Sequence, residues 1–326
     1  MTDRVVAILG FDGMQSLDAT GPFEVFAAAN QVLDGLGRTD PRYRPYLVGL
    51  REGSDPIVAE SGLTFSPSGA LWRPATIDTL IVPGGDGVYA LAADTEACRA
   101  VTAAAARSRR VATVCTGAFL GAAAGLFEPG QRVATHWARA GRLARRHPEL
   151  SVDPDALWVR HDRCWTSAGV TAGIDLALAL VEDDLGAEVA QTVARWLVVF
   201  LRRPGGQSQF AAPVWSAPAE RQPIRAAVDL IHADPSRPLD VPALAAHAGV
   251  SERHFLRLFR SELGTTPARY VEKVRIEAAR RLLETEDTGL TAVAERCGFG
   301  TAETLRRSFH RCVGVAPDQY RQRFRT

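Results

Sequence analysis

The chain has 326 residues, 46% of them hydrophobic and 23% charged, the balance of an ordinary globular protein with room for roughly two domains. A net charge of +1 excludes a strongly basic coat protein, but the charge is uneven: residues 1–222 carry −3 and residues 223–326 carry +4, a modest polyanion signal at the C-terminal end. Five cysteines, Cys98, Cys115, Cys164, Cys297 and Cys312, follow neither CxxC nor Cys/His metal spacing, which fits a reducing, cytoplasmic setting with no metal site. The apolar start MTDRVVAILGF is too short for a secretion signal, and no apolar run approaches the roughly 20 residues that cross a bilayer, so no membrane partner is expected.

Along the chain, the β-rich runs 5–11, 43–50, 79–85 and 111–117 alternate with Ala-rich helical stretches such as PFEVFAAANQVL and EACRAVTAAAARS. Continuous apolar strands separated by helices predict βαβ units and a doubly wound parallel sheet covered on both faces. ALWVRHDRCWTSAG predicts two short strands ahead of the helix GIDLALALVEDDLG, and AEVAQTVARWLVVFLRR predicts an amphipathic helix ending at Pro204. The Gly-, Pro-, Ser- and Ala-rich segment 205–222 reads as a linker. It separates an α/β domain, 1–204, from an all-α domain, 223–326.

In VATVCTGAFLGAAAGL an apolar strand breaks into a helix at Cys115. A sharp strand-to-helix turn presents such a residue at the carboxyl edge of the sheet, and a helix N-terminus pulls a thiol toward thiolate. The N–H groups of Gly84 and Gly85 in LIVPGGDG, with that of Thr116, are expected to cradle an anion or oxyanion there. The bland alternatives stand beside this: Cys115 as a small buried hydrophobe, and Asp18 as a helix N-cap ahead of Pro22.

The last hundred residues contain one pattern twice. Ala245 and Gly249 recur as Ala294 and Gly298, while Phe259, Gly264, Pro267 and Tyr270 recur as Phe309, Gly314, Pro317 and Tyr320. The offset grows from 49 to 50, one extra residue in the second turn. A glycine five positions after a buried aliphatic residue allows the sharp turn of a helix-turn-helix unit. The helix 268–284 joins the copies, with Val271, Val274, Ala278 and Leu282 spaced for one buried face. About 25 Å long, it separates two reading heads by nearly one DNA turn of about 34 Å. Burial of Phe255, Leu258 and Phe259 turns Arg253, Leu256, Arg257 and Arg260 outward in the first recognition helix, with Arg253, Leu256 and Arg257 placed to read bases. Burial of Leu305 and Phe309 does the same for Glu303, Arg306 and Arg307 in the second. Double-stranded DNA is the predicted partner.

The segments from Ala245, Gly249 and Ser251 through GTTPARYV, and GFGTAETLRRSF with GVAPDQY, resemble the AraC/XylS family of regulators. GFDGMQSLDATGPFEVF, VPGG, VCTGAFLGAAAGL, ATHW and TSAGVTAGIDLALALVE resemble the ThiJ/PfpI family of the class I glutamine amidotransferase-like, flavodoxin-like fold. The elbow here is Cys-Thr where many members have Cys-His, and Asp18 is the acidic residue. These departures resemble the isonitrile hydratase branch, onto whose functional positions Asp18, Cys115 and Thr116 map, with His136 in ATHW. The order of the two modules resembles the GlxA group. That resemblance implies a transcriptional regulator, usually an activator, working as a homodimer with RNA polymerase. Its sensor domain would hold a small nitrogenous effector such as arginine, carnitine or glycine betaine near Asp18, Gly84, Gly85, Cys115, Thr116 and His136, without a cofactor. The alternative it leaves open is a cysteine-dependent enzyme, isonitrile hydratase-like, with an autoregulatory DNA-binding module.

Overall fold

The computed structural model describes residues 3–50, 55–203, 205–210 and 221–324. The chain divides into two compact units, Met1–Arg203 and Pro204–Thr326.

In the first unit β1 (Arg4–Leu9), α1 (Ser16–Gly35) and β2 (Tyr43–Val48) form the opening βαβ turn. The hairpin β3 (Ile57–Val58) and β4 (Thr64–Phe65) precedes β5 (Ile77–Val82). Helices α2 (Val88–Ala93) and α3 (Thr95–Ala106) lead to β6 (Ser108–Val114), α4 (Gly117–Ala123) and β7 (Arg132–Ala134). Then come α5 (Trp137–Arg146), β8 (Ser151–Asp153), the ribbon β9 (Trp158–His161) and β10 (Cys164–Ser167), α6 (Ala172–Leu185) and α7 (Ala187–Trp196). The main sheet runs β2-β1-β5-β6-β10-β9, parallel throughout except for the edge ribbon, where β9 is antiparallel to β10. Helices α1, α6 and α7 pack together as one layer, and α2, α3 and α4 as another. Val6, Ile8, Leu80, Val82 and Val114 are completely buried, as strands covered on both faces must be. Chain order reverses between β1 and β5, and the crevice at their carboxyl ends is where such sheets hold ligands.

The second unit opens with a 3-10 turn, Gln207–Gln209, followed by α8 (Gln222–Ala233), α9 (Val241–His247), α10 (Glu252–Leu263) and α11 (Pro267–Thr285). It ends with α12 (Leu290–Arg296), α13 (Ala302–Val313) and α14 (Pro317–Phe324). It holds two cores rather than one. Ile224, Leu244, Phe255, Phe259 and Tyr270 build the first, and Ile276, Val293, Leu305, Phe309 and Tyr320 the second. Gly249 and Gly298 turn each unit at φ 67° and 76°; the extra residue of the second turn is accommodated at Gly300, φ 73°.

Four expectations are corrected. The helix predicted to run to Pro204 stops at Trp196, because Val198 adopts φ 57°, a conformation that costs a β-branched residue heavily in a helix. Residues 205–210 are not free linker: Gln207 and Gln209 are buried, Arg280 donates to the Gln209 carbonyl at 3.0 Å and Arg323 to Gln209 Oε1 at 2.8 Å, and Phe210 meets Phe324 edge-on. Residues 211–220 of that expected linker lie outside the described residues. The stripe Val271, Val274, Ala278, Leu282 holds only at its start. Beyond it Ile276, Ala279, Arg280 and Leu283 are the buried positions, since α11 feeds one core with its first half and another with its second. Finally α1 begins at Ser16 and carries Pro22 inside it, so Asp18 lies in the first turn and Gln15 is the N-cap.

Because the two cores are separate, Phe309→Ala is expected to destabilise the second helix-turn-helix by about 3–5 kcal/mol. Hydrogen exchange of α12–α14 amides should accelerate while α9 and α10 stay protected.

Candidate functional site

At the carboxyl end of β6 the chain turns through Cys115 at φ 57°, the left-handed conformation that L-residues adopt only under constraint. The constraint is visible on three sides. The Cys115 N–H donates to the Ser167 carbonyl at 3.0 Å, its own carbonyl accepts from Thr135 Oγ1 at 2.7 Å, and Gly169 lies so close that a Cβ there would fall 2.1 Å from Cys115 Cβ. Gly84 is just as tightly placed, since its Cβ would meet the Thr116 nitrogen and Oγ1 at 2.5 Å.

Asp18 reaches this elbow from the first turn of α1 and is completely buried. Its Oδ2 accepts from Gly84 N–H at 2.9 Å and its Oδ1 from Val170 N–H at 2.6 Å, and it is hydrogen-bonded to the Cys115 thiol. Thr116 Oγ1 accepts from Gly85 N–H at 2.8 Å. Of the cradle expected from Gly84, Gly85 and Thr116, the two glycine N–H groups are therefore engaged from within, by Asp18 and Thr116 Oγ1. His136 is half-buried at the N-cap of α5, its Nδ1 accepting from Ala138 N–H at 3.3 Å. Its neighbour Thr135 is the residue that bonds the elbow backbone.

Burial dominates the electrostatics. It raises the Asp18 carboxyl to about 7 against the pull of the two backbone N–H groups, and it pushes the Cys115 thiol well above its ordinary value, helped by the adjacent Asp18. The expected pull of the helix toward thiolate is overturned. Helix α4 has only seven residues, and desolvation beside a carboxylate outweighs its partial charge. At neutral pH the carboxyl titrates and the thiol stays neutral. Burial, and next the nearby Arg139 charge, lower the His136 pKa. Residues not predicted as site residues also form the site: Gly169 and Val170 after β10, Thr135 after β7, and Glu60, whose Oε1 accepts from Asp86 N–H and whose charge disfavours ionisation of Asp18. Their sequence signal was weak, because each is defined by contact across loops far apart in the chain.

In the second unit Arg253, Leu256 and Arg257 are exposed on α10 around the buried Phe255, Leu258 and Phe259. Arg257 lies 2.9 Å from His254 Nδ1. On α13, Glu303, Arg306 and Arg307 are exposed, and Glu303 stands 4.0 Å from Arg306 and 3.8 Å from Arg307, one carboxylate between two guanidinium groups. Thr301 caps α13 through Thr304 N–H at 3.1 Å.

Residues 4–183 match the DJ-1/PfpI family, and residues 244–323 match a helix-turn-helix domain. The chain belongs to the DJ-1/PfpI family. With its second unit it is a transcriptional regulator of the GlxA type. The regulator is 35% identical to the HTH-type transcriptional regulator Rv1931c of Mycobacterium tuberculosis, over 76% of this chain and 96% of that one. It is 28% identical to the HTH-type transcriptional regulator GbdR of Pseudomonas aeruginosa, over 97% and 84%. Its first unit is also 35% identical to the isonitrile hydratase of Pseudomonas putida, over 58% of this chain and 75% of the enzyme. Among solved structures it resembles a ThiJ/PfpI family protein from Pseudomonas syringae, at TM-score 0.52 and 25% identity over 76% of this chain and 92% of that one. No helix among the described residues of the regulator is long and apolar enough to cross a membrane.

The carboxyl of Asp18 links stability to pH. Its folded pKa of about 7 lies above the ordinary 3.8, so the stability it contributes is complete below about pH 4 and is lost as pH rises toward 7. Asp18→Asn should leave one backbone N–H unsatisfied, costing about 1–3 kcal/mol, and should remove this decline. Denaturant unfolding of both proteins at pH 4.5, 6 and 7.5 tests it: a difference independent of pH would rule out the raised carboxyl.

Proposed function

We propose that the first unit senses a small nitrogenous metabolite beside Asp18 and Cys115, and that its occupancy sets how a homodimer of this chain engages promoter DNA. The output is activation through RNA polymerase, in the cytoplasm. The observation that carries the DNA-binding half is the pair of recognition helices, each held by its own core and each exposing a pair of arginines near its start. Arg253 and Arg257 stand on one, Arg306 and Arg307 on the other. Arg253 and Arg257 lie one turn apart and Arg306 and Arg307 are consecutive; exposed guanidinium groups on a helix suit bidentate contacts to guanine edges in the major groove. Because Glu303 accompanies the second pair only, the two heads read different sequences. The sensor half is supported by the buried carboxyl–thiol pair at the ligand-binding edge of the sheet, where an ionised Asp18 favours a cationic nitrogen. Gly205–Phe210, anchored to Arg280 and Arg323, supplies a covalent path from the end of the sensor to the second head.

One observation favours a second reading, a cysteine-dependent enzyme: the likeness to isonitrile hydratase, with Asp18 and Cys115 side by side. Against turnover stand the protonated thiol and the internal engagement of the Gly84 and Gly85 N–H groups, which takes two donors away from a developing oxyanion. Cys115→Ala is expected to retain DNA binding and regulation of a reporter promoter. Isonitrile turnover by the wild type that disappears in Cys115→Ala would establish the enzyme instead.

Arg257→Ala and Arg307→Ala should each cost about 1–3 kcal/mol and relax preference at one base pair. Binding profiles on a randomised duplex library measure both effects, and an unchanged preference removes that arginine from the reading set. In a thermal-shift screen of amino acids and quaternary amines, the effector raises the melting temperature and shifts promoter affinity reciprocally. A compound that stabilises the protein while leaving DNA affinity unchanged is not the effector.

A further inference from the structure

The two heads share no continuous core. Between them runs an open cleft of about 450 Å³, lined in part by Pro238, Asp240, Phe299 and Thr304, so what fixes their separation is α11 and whatever braces it. One such brace stands at the end of this cleft. Arg275, on α11, donates through Nε to the Pro235 carbonyl and through Nη2 to the Arg237 carbonyl, both at 2.8 Å; these carbonyls belong to the first head, between α8 and α9. Gly298, in the turn of the second head, is pressed against the same place. A Cβ there would lie 2.7 Å from the Pro235 oxygen and 2.9 Å from Arg275 Cζ and Nε. Glu272, which lines the cleft, pairs with Arg311 and so ties α11 to α13.

The duplicated glycines separate this arrangement from the needs of the turn. Gly249 and Gly298 have nearly the same left-handed φ, 67° and 76°, so an added side chain strains both turns alike. Yet a Cβ on Gly249 meets nothing within 4 Å, whereas one on Gly298 collides with the carbonyl of the other head. The second glycine has a packing duty that the first lacks.

We propose that Arg275, the Pro235 carbonyl and Gly298 form a junction that sets the spacing between the two recognition helices, with Arg275 and Gly298 as positioning residues for the DNA site. The consequence is specificity at base pairs that no side chain touches. With the heads braced, the two base-contacted segments must lie at one fixed spacing. A single inserted base pair moves the second segment by about 3.4 Å along the axis and rotates it away from its head. The inference rests on the reading that both heads engage one duplex.

The test uses full-length protein and a duplex site isolated from a random library by binding to it, with one base pair inserted or deleted between the two protected segments. Wild type should lose tenfold or more in affinity on either change. Gly298→Ala and Arg275→Gln should bind the original site several-fold more weakly and lose threefold or less when the spacing changes. Gly249→Ala, which strains its turn without touching the junction, should keep the wild-type spacing penalty, and melting curves confirm that each variant is folded. If Gly298→Ala and Arg275→Gln both retain the full penalty, or if wild type tolerates either spacing, the junction does not set the spacing. If deleting one segment altogether costs wild type nothing, the underlying two-head reading fails instead.

Discussion

The carboxyl group of Asp18 is the point on which the first unit turns. It is the common acceptor for two backbone N–H groups from loops that follow β5 and β10, 66 and 152 residues away, and it reaches both from the first turn of α1. Removing such a group from water is costly unless its oxygens are matched by donors, and the two loops supply them. That match holds the loops tight enough to force Cys115 into a left-handed turn and to leave no room for a Cβ at Gly84 or Gly169. The same burial that makes the bonds strong keeps the thiol protonated. In this site the polar groups already satisfy one another, and the carboxyl is the group poised to change charge near neutrality.

In the second unit one local code yields two unequal heads. The aromatic anchors, the C-cap glycines Gly264 and Gly314 and the turn glycines recur, and each head folds around its own phenylalanine pair or equivalent. Their surroundings differ. The first head presents open space at its turn, while the second is pressed against Pro235 and Arg275 and also receives Gly205–Phe210 at Arg280 and Arg323. Arg280, buried in α11, contacts Tyr320 and the Gln209 carbonyl together, so the segment that follows the sensor packs with the interior of the second head. A duplicated motif has here diverged by packing more than by fold.

Much of the architecture was legible from residues in sequence. The parallel sheet followed from apolar runs such as VVAIL and TLIV alternating with Ala-rich helices, and the two helix-turn-helix units from glycines, aromatics and prolines at nearly constant offset. Reading failed where a local preference met a tertiary demand. WLVVFLRR has helical spacing, yet Val198 breaks the helix while Leu197, Val199 and Leu201 pack on the sheet domain's core. The stripe along α11 changes face midway because the helix serves two cores. The hairpin β3–β4 and the pair β7–β8 escaped notice because strands of two or three residues carry no usable period.

By itself the sequence determined the two modules, their order, the elbow cysteine and the arginines on the outward faces of the recognition helices, because all of these depend on short-range periodicity and turn chemistry. Only the tertiary structure decided what these groups can do. Whether Cys115 is a thiolate or a thiol, whether the Gly84 and Gly85 donors are open or engaged, and whether a turn glycine is free or wedged depends on which groups the fold brings alongside. Burial and hydrogen bonding across distant segments set those states, and neither is encoded in local spacing.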